Sequence, residues 1–205
     1  PMPDSATPIR VLLAEDDLPA RALVVEVLST LGHTVVAEVA SGKDAIAQAQ
    51  ALKPDAVLLD VHMPESTGIE AAREIAASVP GTAVVLFTGD QTLSLSEQEI
   101  AETHAISLLP KPTPPNTLDS ALRLAVARVR TLAQAQREAA DAKEALESRK
   151  IIERAKGILM RRTGSSEQEA YRILQRTSQD RSVAMVDIAK AVLDSEPGLA
   201  ASAKR

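Results

Sequence analysis

The sequence of 205 residues contains no cysteine and no tryptophan, and only one phenylalanine (Phe87) and one tyrosine (Tyr171). Without cysteine, a disulfide scaffold, a thiolate metal site and thiol redox chemistry are all excluded. Apolar residues nevertheless make up 45% of the chain. The core must therefore consist mainly of Ala, Val, Leu and Ile, which suits parallel strands packed against helices. A chain without disulfide chemistry is expected in the reducing cytoplasm.

Long hydrophobic runs are also missing. The longest apolar runs, such as residues 83–87, are far shorter than the roughly 20 residues that a membrane-spanning helix needs. No basic and then apolar leader precedes Ile9, so we expect neither membrane insertion nor export. Residues 1–8 and 196–205 are predicted to be flexible tails. The remaining length is typical of one or two domains.

Short apolar runs alternate with helical patterns from Ile9 to about Leu109, as in the βαβ units of a parallel sheet. The predicted strands span residues 9–14, 34–39, 56–60, 83–87 and 105–109. The predicted helices between them span residues 19–31, 43–52 and 68–77, with a weaker one near 97–103.

Polar side chains stand where these strands end: Glu15 and Asp16, Asp60, Thr88 and Lys111. Right-handed crossovers bring the carboxyl ends of parallel strands to one edge of the sheet, where ligands bind. Three carboxylates that converge repel one another and require a cation, and their oxygen ligands suit Mg²⁺. The metal, Thr88 and Lys111 could share the charge of a phosphoryl group, with Asp60 as the nucleophile that forms an aspartyl phosphate.

Four separated motifs carry a family resemblance: LAEDD at 13–17, LDVHMP at 59–64 with Gly68, FTG at 87–89 and PKP at 110–112. Together they resemble the motifs of bacterial response-regulator receiver domains, over residues 9–130. The resemblance implies a flavodoxin-like, doubly wound α/β fold with a five-stranded parallel sheet. It also implies a sensor histidine kinase as partner, and a regulator with at most slow self-dephosphorylation rather than an enzyme.

By the same resemblance Asp60 is the phosphoacceptor, and Glu15, Asp16, Asp60 and the backbone carbonyl of His62 bind Mg²⁺. Thr88 is the switch hydroxyl and Lys111 contacts the phosphate. Three positions depart from the family pattern: Leu108 replaces the usual aromatic switch residue, His104 the usual Gly and Thr113 the usual Phe. We therefore expect the signal to pass through the end of strand five, Lys111 and the following helix rather than through an aromatic side chain.

A long helix is predicted after Pro114 and Pro115, because no Pro or Gly interrupts residues 116–156. Residues 116–149 are interpreted as a connector. Its apolar positions follow a weak heptad spacing: Leu118, Leu122, Ala125, Val129 and Leu132, then Gln136, Ala139, Lys143 and Leu146. The connector could pair with a second copy as a coiled coil, which would form a homodimer, or fold onto its own chain.

The last part of the chain is predicted to be a small all-α domain of three short helices. The first starts near Ile151 and ends at Gly164, the second begins at a capping box from Ser166 to Glu169, and Ser182 caps the third. Ala170, Ile173, Leu174 and Thr177 are predicted to face the core. Residues 149–181 contain nine Lys or Arg and four Asp or Glu, whereas the whole chain has a net charge of −5. Such a basic segment favours a phosphate-bearing partner, with solvated helix faces as the alternative.

A second resemblance narrows this interpretation. The run LESRKIIERAKGILM at 146–160, followed by EAY at 169–171 and DR at 180–181, is similar to ANTAR domains, the three-helix RNA-binding modules of bacterial transcription antiterminators. It covers residues 145–195 and implies binding of RNA hairpins. The residues expected to form the RNA surface are Arg149, Lys150, Arg154, Lys156, Gly157, Arg161, Tyr171 and Arg181. A DNA-binding helix-turn-helix regulator and a helical protein-interaction module are the alternatives.

Overall fold

The computed structural model describes residues 7–63, 67–90, 92, 96, 98 and 105–195. Five parallel strands form one sheet in the order β2-β1-β3-β4-β5, which is the flavodoxin-like order. This confirms the predicted fold class. The strands are β1 (Arg10–Ala14), β2 (Thr34–Val39), β3 (Ala56–Asp60), β4 (Ala83–Thr88) and β5 (Ala105–Pro110).

Six helices lie within the described residues: α1 (Leu18–Thr30), α2 (Gly42–Leu52), α3 (Gly68–Ser78), α4 (Pro115–Thr163), α5 (Glu167–Arg181) and α6 (Met185–Asp194). Of the weak helix predicted near 97–103, all residues except 98 fall outside the described residues. Among the described helices, none combines the length and the apolar character that crossing a membrane would need.

The core of the sheet domain has two layers because successive strand residues point to opposite faces. On one face Leu12, Leu59 and Leu86 pack against the alanines of α2 and α3. On the other face Leu58 and Phe87 pack with residues of α1 and the start of α4. All five residues of β3 are buried, as expected for a central strand, so its last residue is held in a fixed place.

The chain divides into two compact units after Gln134. In the second unit the C-terminal part of α4, α5 and α6 surround a small cluster of Ala155, Leu174, Ile188 and Ala189. This agrees with the predicted three-helix module. A capping box between Ser166 and Glu169 begins α5, also as predicted.

Three predictions for the C-terminal part are wrong. No helix begins near Ile151, because α4 is continuous from Pro115 to Thr163; the sequence holds no Pro that could break it, and one Gly in a helix interior is tolerated. Ser182 does not cap α6 but ends α5 in the left-handed conformation, with φ of 51°. Ile173 does not face the core; its exposed fraction is 41%, because the buried Ala170 and Leu174 and the half-buried Thr177 form the inward stripe of α5.

Gly68 begins α3 directly against the end of β3. Its N–H donates to the carbonyl oxygen of Val61 at 2.9 Å. A Cβ atom at this position would collide with the backbone carbonyl oxygen of Asp60. A glycine is therefore required for α3 to pack this closely on the strand that carries Asp60.

We predict that Gly68→Ala lowers the free energy of unfolding by about 1–3 kcal/mol, the usual cost of overpacking, because backbone atoms must move to admit the methyl group. Urea denaturation of the full chain, followed by circular dichroism, measures this change. Gly89→Ala is the matched control, since nothing lies within 4 Å of a Cβ added there. Equal stability of both variants would contradict the close approach at Gly68.

Candidate functional site

Four neighbouring strands deliver the predicted site residues to one edge of the sheet. Glu15 follows β1, Asp60 ends β3, Thr88 ends β4 and Lys111 follows β5. Because β1, β3, β4 and β5 are adjacent in the sheet, their carboxyl ends form a single site. The structure thus brings together the residues that the strand-end pattern selected.

The carboxylates of Glu15, Asp16 and Asp60 form an acidic cluster in which one oxygen of each lies within 4.8 Å of the others. Glu15 and Asp60 are buried, whereas Asp16 is exposed. Backbone N–H groups orient the buried pair: that of Asp17 donates to Glu15 at 3.3 Å, and that of His62 donates to Asp60 at 3.2 Å. Such an all-oxygen cluster, open to solvent on one side, fits a hard divalent cation that keeps part of its water shell.

Lys111 provides the positive charge at this cluster. Its Nζ lies 2.5 Å from Glu15 Oε2 and 2.8 Å from Asp60 Oδ2, and 4.3 Å from the centroid of the Phe87 ring. Burial acts to lower the pKa of Lys111, but hydrogen bonds to Asp60 and Glu15 outweigh it and raise the pKa. The ammonium group therefore stays charged at neutral pH.

The environment of Glu15 is less favourable to charge. Burial raises the pKa of the Glu15 carboxyl, the nearby Asp60 carboxylate adds to the effect, and the hydrogen bond from Lys111 only partly opposes it. Two buried carboxylates beside one ammonium leave a surplus of negative charge. A second cation at the cluster would relieve that surplus.

Thr88 is almost fully buried and carries two hydrogen-bonding contacts at its hydroxyl. The N–H of Asp90 donates to Oγ1 at 3.0 Å, and His62 Nδ1 lies 3.4 Å from the same atom. The N–H of Lys111 donates to the backbone carbonyl of Thr88 at 2.7 Å, which joins the ends of β4 and β5.

Two contributors to the site were missed from the sequence. The His62 side chain reaches Thr88, although only its backbone carbonyl had been considered, and the Phe87 ring lies beneath the Lys111 ammonium. Phe87 could have been noticed as the single phenylalanine, next to Thr88. Leu108 is half-buried and packs with the cluster formed by β3, β4, α2 and α3.

Most of the predicted RNA-binding residues are exposed in the second unit. Lys150, Arg154, Gly157 and Arg161 follow one another at spacings of four, three and four. At about 3.6 residues per turn this places them on one narrow stripe of α4, which we call the α4 stripe. Of these four residues, Lys150, Arg154 and Arg161 are exposed and Gly157 is half-buried. The other exposed residues of the predicted surface are Arg149, Tyr171 and Arg181.

Lys156 does not project into solvent, so this part of the prediction is wrong. Its exposed fraction is only 7%, and its Nζ lies 2.8 Å from Glu153 and 2.7 Å from Glu167. These hydrogen bonds raise the pKa of Lys156, and the one from Lys156 lowers the pKa of Glu167. The physical reason is its position beside the buried Ala155, on the side of α4 that meets the start of α5. Lys156 therefore joins α4 to α5.

Comparison with protein families matches the model of the response regulator receiver domain at residues 11–123 and that of the ANTAR domain at residues 140–193. The transcriptional regulatory protein PdtaR of Mycobacterium tuberculosis is 37% identical over 195 residues, which cover 93% of this chain and 92% of that protein. The chain belongs to the receiver–ANTAR response regulators. The receiver part alone is similar to the chemotaxis protein CheY of Thermotoga maritima, with 30% identity over 55% of this chain and 93% of that protein.

Solved structures resemble the receiver part of this response regulator. The response regulator domain of Thermotoga maritima CheB aligns with a TM-score of 0.52 and 25% identity, over 59% of this chain and 98% of that one. The receiver domain of the sensor histidine kinase PA1611 from Pseudomonas aeruginosa aligns with a TM-score of 0.52 and 26% identity, over 59% of this chain and 99% of that one. That structure has a magnesium ion coordinated in its active site cleft.

We predict that Lys111→Met tightens Mg²⁺ binding at the acidic cluster on the order of tenfold, because it removes a cation that competes for Glu15 and Asp60. Two unit charges 4 Å apart interact by about 4 kcal/mol at an effective dielectric constant of 20, and relaxation reduces the net effect. Without Mg²⁺ the variant should melt at a lower temperature, since a buried carboxylate loses its partner.

Thermal unfolding with increasing Mg²⁺ measures both effects, because a ligand that binds the native state raises the melting temperature according to its affinity. The exposed Lys43→Met on α2 is the matched control. An equal Mg²⁺-induced shift in Lys111→Met and in the unchanged protein would contradict the competition.

Proposed function

We propose that Asp60 is the phosphoacceptor of this response regulator, with a sensor histidine kinase as phosphodonor. Mg²⁺ would be held by Glu15, Asp16, Asp60 and the backbone carbonyl of His62. The observation that carries the proposal is the pairing of Lys111 with both Glu15 and Asp60. The single positive charge of Lys111 does not neutralise both carboxylates, so one more cation can bind.

Asp60 is the best placed of the three carboxylates. It ends the central strand β3, between β1 and β4, and the N–H of His62 orients it. In the proposed step one carboxylate oxygen of Asp60 attacks phosphorus as the bond to the donor's nitrogen breaks. The Lys111 ammonium stabilises the charge on the phosphoryl oxygens, and the Thr88 hydroxyl can donate to one of them. Mg²⁺, if held by the acidic cluster, would supply further positive charge there.

We predict that Asp60→Asn abolishes labelling by a small phosphodonor such as acetyl phosphate, because an amide cannot form the acyl phosphate. Glu15→Gln combined with Asp16→Asn should leave slow labelling that no longer responds to Mg²⁺. Intact-protein mass spectrometry measures the added phosphoryl group, with the exposed Asp44→Asn on α2 as control. Full labelling of the Asp60→Asn protein would rule out this assignment.

The signal is proposed to leave the site through β5. The N–H of Lys111 is bonded to Thr88, and α4 begins only a few residues later at Pro115. Leu108, which replaces the aromatic switch residue of the family, lies among apolar neighbours of the core. A movement of Thr88 toward a phosphoryl group would therefore be passed to Lys111 and α4, with Leu108 mainly stabilising the core.

We further propose that the C-terminal unit binds RNA hairpins and that the protein acts as a transcription antiterminator. Three observations support this: the ANTAR match, the exposed basic α4 stripe, and the similarity to a transcriptional regulatory protein over nearly the whole chain. A hairpin bound in this way would exclude a competing terminator structure. The basic residues of the stripe would neutralise backbone phosphates.

Gly157 is the most informative residue of the α4 stripe. A glycine inside a helix costs about 1 kcal/mol relative to alanine. Yet a Cβ atom at this position would meet only the tip of Arg161, at 3.8 Å, an ordinary contact. Since neither backbone conformation nor packing among the described residues requires glycine here, we propose that RNA approaches the helix backbone at this point.

We predict that Gly157→Ala stabilises the C-terminal unit by about 1 kcal/mol but weakens hairpin binding roughly tenfold, because the methyl group holds the RNA away from the stripe. Urea denaturation and a filter-binding titration measure the two quantities. Gln136→Ala, at an exposed position of the same helix, should change both the stability and the RNA affinity less. A stabilised variant with unchanged RNA affinity would show that Gly157 does not contact the ligand.

Duplex DNA and protein partners are the remaining alternatives, and the same titration distinguishes them. Binding of the full chain to hairpin RNA is compared with binding to duplex DNA of equal charge at matched salt concentration. A preference for the duplex would favour a DNA-binding regulator, and failure to bind either would favour a protein-interaction module.

We propose that the connector forms a homodimer through a second stripe of α4. Its positions are exposed and follow an alternating three and four spacing that suits a coiled-coil seam, with small residues that allow close approach. The stripe consists of Leu132, Ala135, Ala139, Ala142 and Leu146. Ala135 and Ala142 thus replace Gln136 and Lys143 of the heptad predicted from the sequence.

We predict that Ala139→Glu shifts the protein toward the monomer, because it places a charge in the seam, whereas Ala140→Glu, one position off the stripe, does not. Sedimentation velocity with and without phosphodonor measures the oligomeric state. A monomeric unchanged protein under both conditions would exclude this dimer.

A further inference from the structure

The outward face of α5 carries a row of planar polar side chains. Arg172, Gln175, Arg176 and Gln179 recur at spacings of three, one and three, and at about 100° per residue they fall within an arc of roughly 100°. Ala170 and Leu174, which are buried in the core of the unit, lie on the opposite side. The row therefore points away from the three-helix core.

This face forms one wall of an open groove of about 770 Å³. The other wall is the turn between α4 and α5, residues Thr163, Gly164 and Ser165. Gly164 has φ of 68°, a left-handed conformation that glycine adopts at low cost and that ends α4 here. Ile173, which is 41% exposed, adds an apolar patch to the lining.

The groove side chains are available for a ligand. Gln175, Arg176 and Gln179 form no side-chain hydrogen bond or ion pair with any residue of the described ranges. An unpaired amide offers one acceptor and two donors in a plane, and a guanidinium offers a planar fork of donors. A row of such groups beside an apolar patch differs from a purely electrostatic surface, because it can distinguish hydrogen-bonding patterns.

We infer that this groove reads the loop bases of the RNA hairpin, while the α4 stripe binds its phosphates. The inference rests on the proposed RNA-binding function. Contacts to phosphates position a nucleic acid, whereas contacts to base edges specify its sequence. Single-stranded loop bases are splayed out, stacked on guanidinium planes and bonded along their edges, and the groove offers the groups for both interactions.

The two surfaces are also adjacent in the chain. Arg161 ends the α4 stripe, and Thr163 begins the groove two residues later. A hairpin whose backbone follows the stripe could place its loop at the turn. Arg181 is excluded from the groove, because it lies seven residues after the buried Leu174 and so on nearly the same side of α5.

The test uses the full chain and a pool of RNA hairpins that share one stem and have a fully randomised loop. Binding is selected with and without a small phosphodonor and Mg²⁺, and sequencing gives the loop preference. Gln175→Met and Gln179→Met keep side-chain length but lose the amide. Arg176→Lys keeps the charge but loses the planar fork. Gln136→Met and Arg137→Lys make the same changes at exposed positions of α4.

We expect each groove variant to reduce the affinity ratio between preferred and unpreferred loops by roughly tenfold, the range of one bidentate base contact. The salt dependence should stay the same, because no charge is removed. Lys150→Ala and Arg154→Ala should instead weaken all hairpins alike and flatten the salt dependence. The controls on α4 should behave like the unchanged protein, and circular dichroism confirms that every variant is folded.

Unchanged loop preference in the three groove variants would overturn the inference while leaving RNA binding intact. If the groove variants and the stripe variants both weakened all loops equally, the groove would be one more phosphate contact, which also overturns base reading. Failure of the unchanged protein to bind any hairpin of the pool, with or without phosphodonor, would refute the proposed function itself and the inference with it.

Discussion

The balance of charge at the sheet edge is the constraint on which the receiver part depends. Two buried carboxylates, Glu15 and Asp60, tolerate their burial only because Lys111 lies within hydrogen-bonding distance of both. The lysine is delivered by β5, the edge strand of the sheet, and the carboxylates by the inner strands β1 and β3. The strand order therefore matters directly to the chemistry, because a different order would separate the ammonium from the acids. The close packing of Gly68 against the backbone of Asp60 also fixes the position of Asp60.

The C-terminal unit also contains a lysine that is paired with two carboxylates. There the ammonium of Lys156 is removed from solvent and shared between Glu153 on its own helix and Glu167 at the first turn of α5. Carboxylates are also favourable at that position because the N-terminus of a helix carries partial positive charge. The apolar cluster around Ala155 and Leu174 is small and does little to fix how α4 and α5 are oriented. The ion pairs of Lys156 help to fix that orientation. In both units a lysine with two acidic partners sets the geometry of an adjoining surface.

The receiver fold and the acidic site could be predicted because their signals are local. Each strand is a short apolar run, and right-handed crossovers then place Asp60, Thr88 and Lys111 at one edge without further information. The prediction for Lys156 failed because its second partner, Glu167, belongs to another helix, and helix periodicity does not show such a partner. The absence of Pro and Gly from residues 116–156 predicted a long helix, but a separate helix was expected near Ile151 because the apolar spacing changes there, although the backbone has no reason to break. Gln175 and Gln179 were not predicted as functional residues, because amides carry no charge and so do not add to the basic character of the segment. Their place in a groove is visible only in the folded structure.

The scarcity of aromatic residues has a practical consequence once their places are known. The chain contains no tryptophan. When the protein is excited at the tyrosine absorption band, its fluorescence therefore comes from Tyr171 alone. That ring is 43% exposed and lies one helical turn before Gln175 on α5. The receiver part contributes only Phe87, which is buried and emits very weakly. The protein thus carries an intrinsic optical label on one face of its C-terminal unit, and a nucleobase that stacks or packs near α5 would quench it without any added dye.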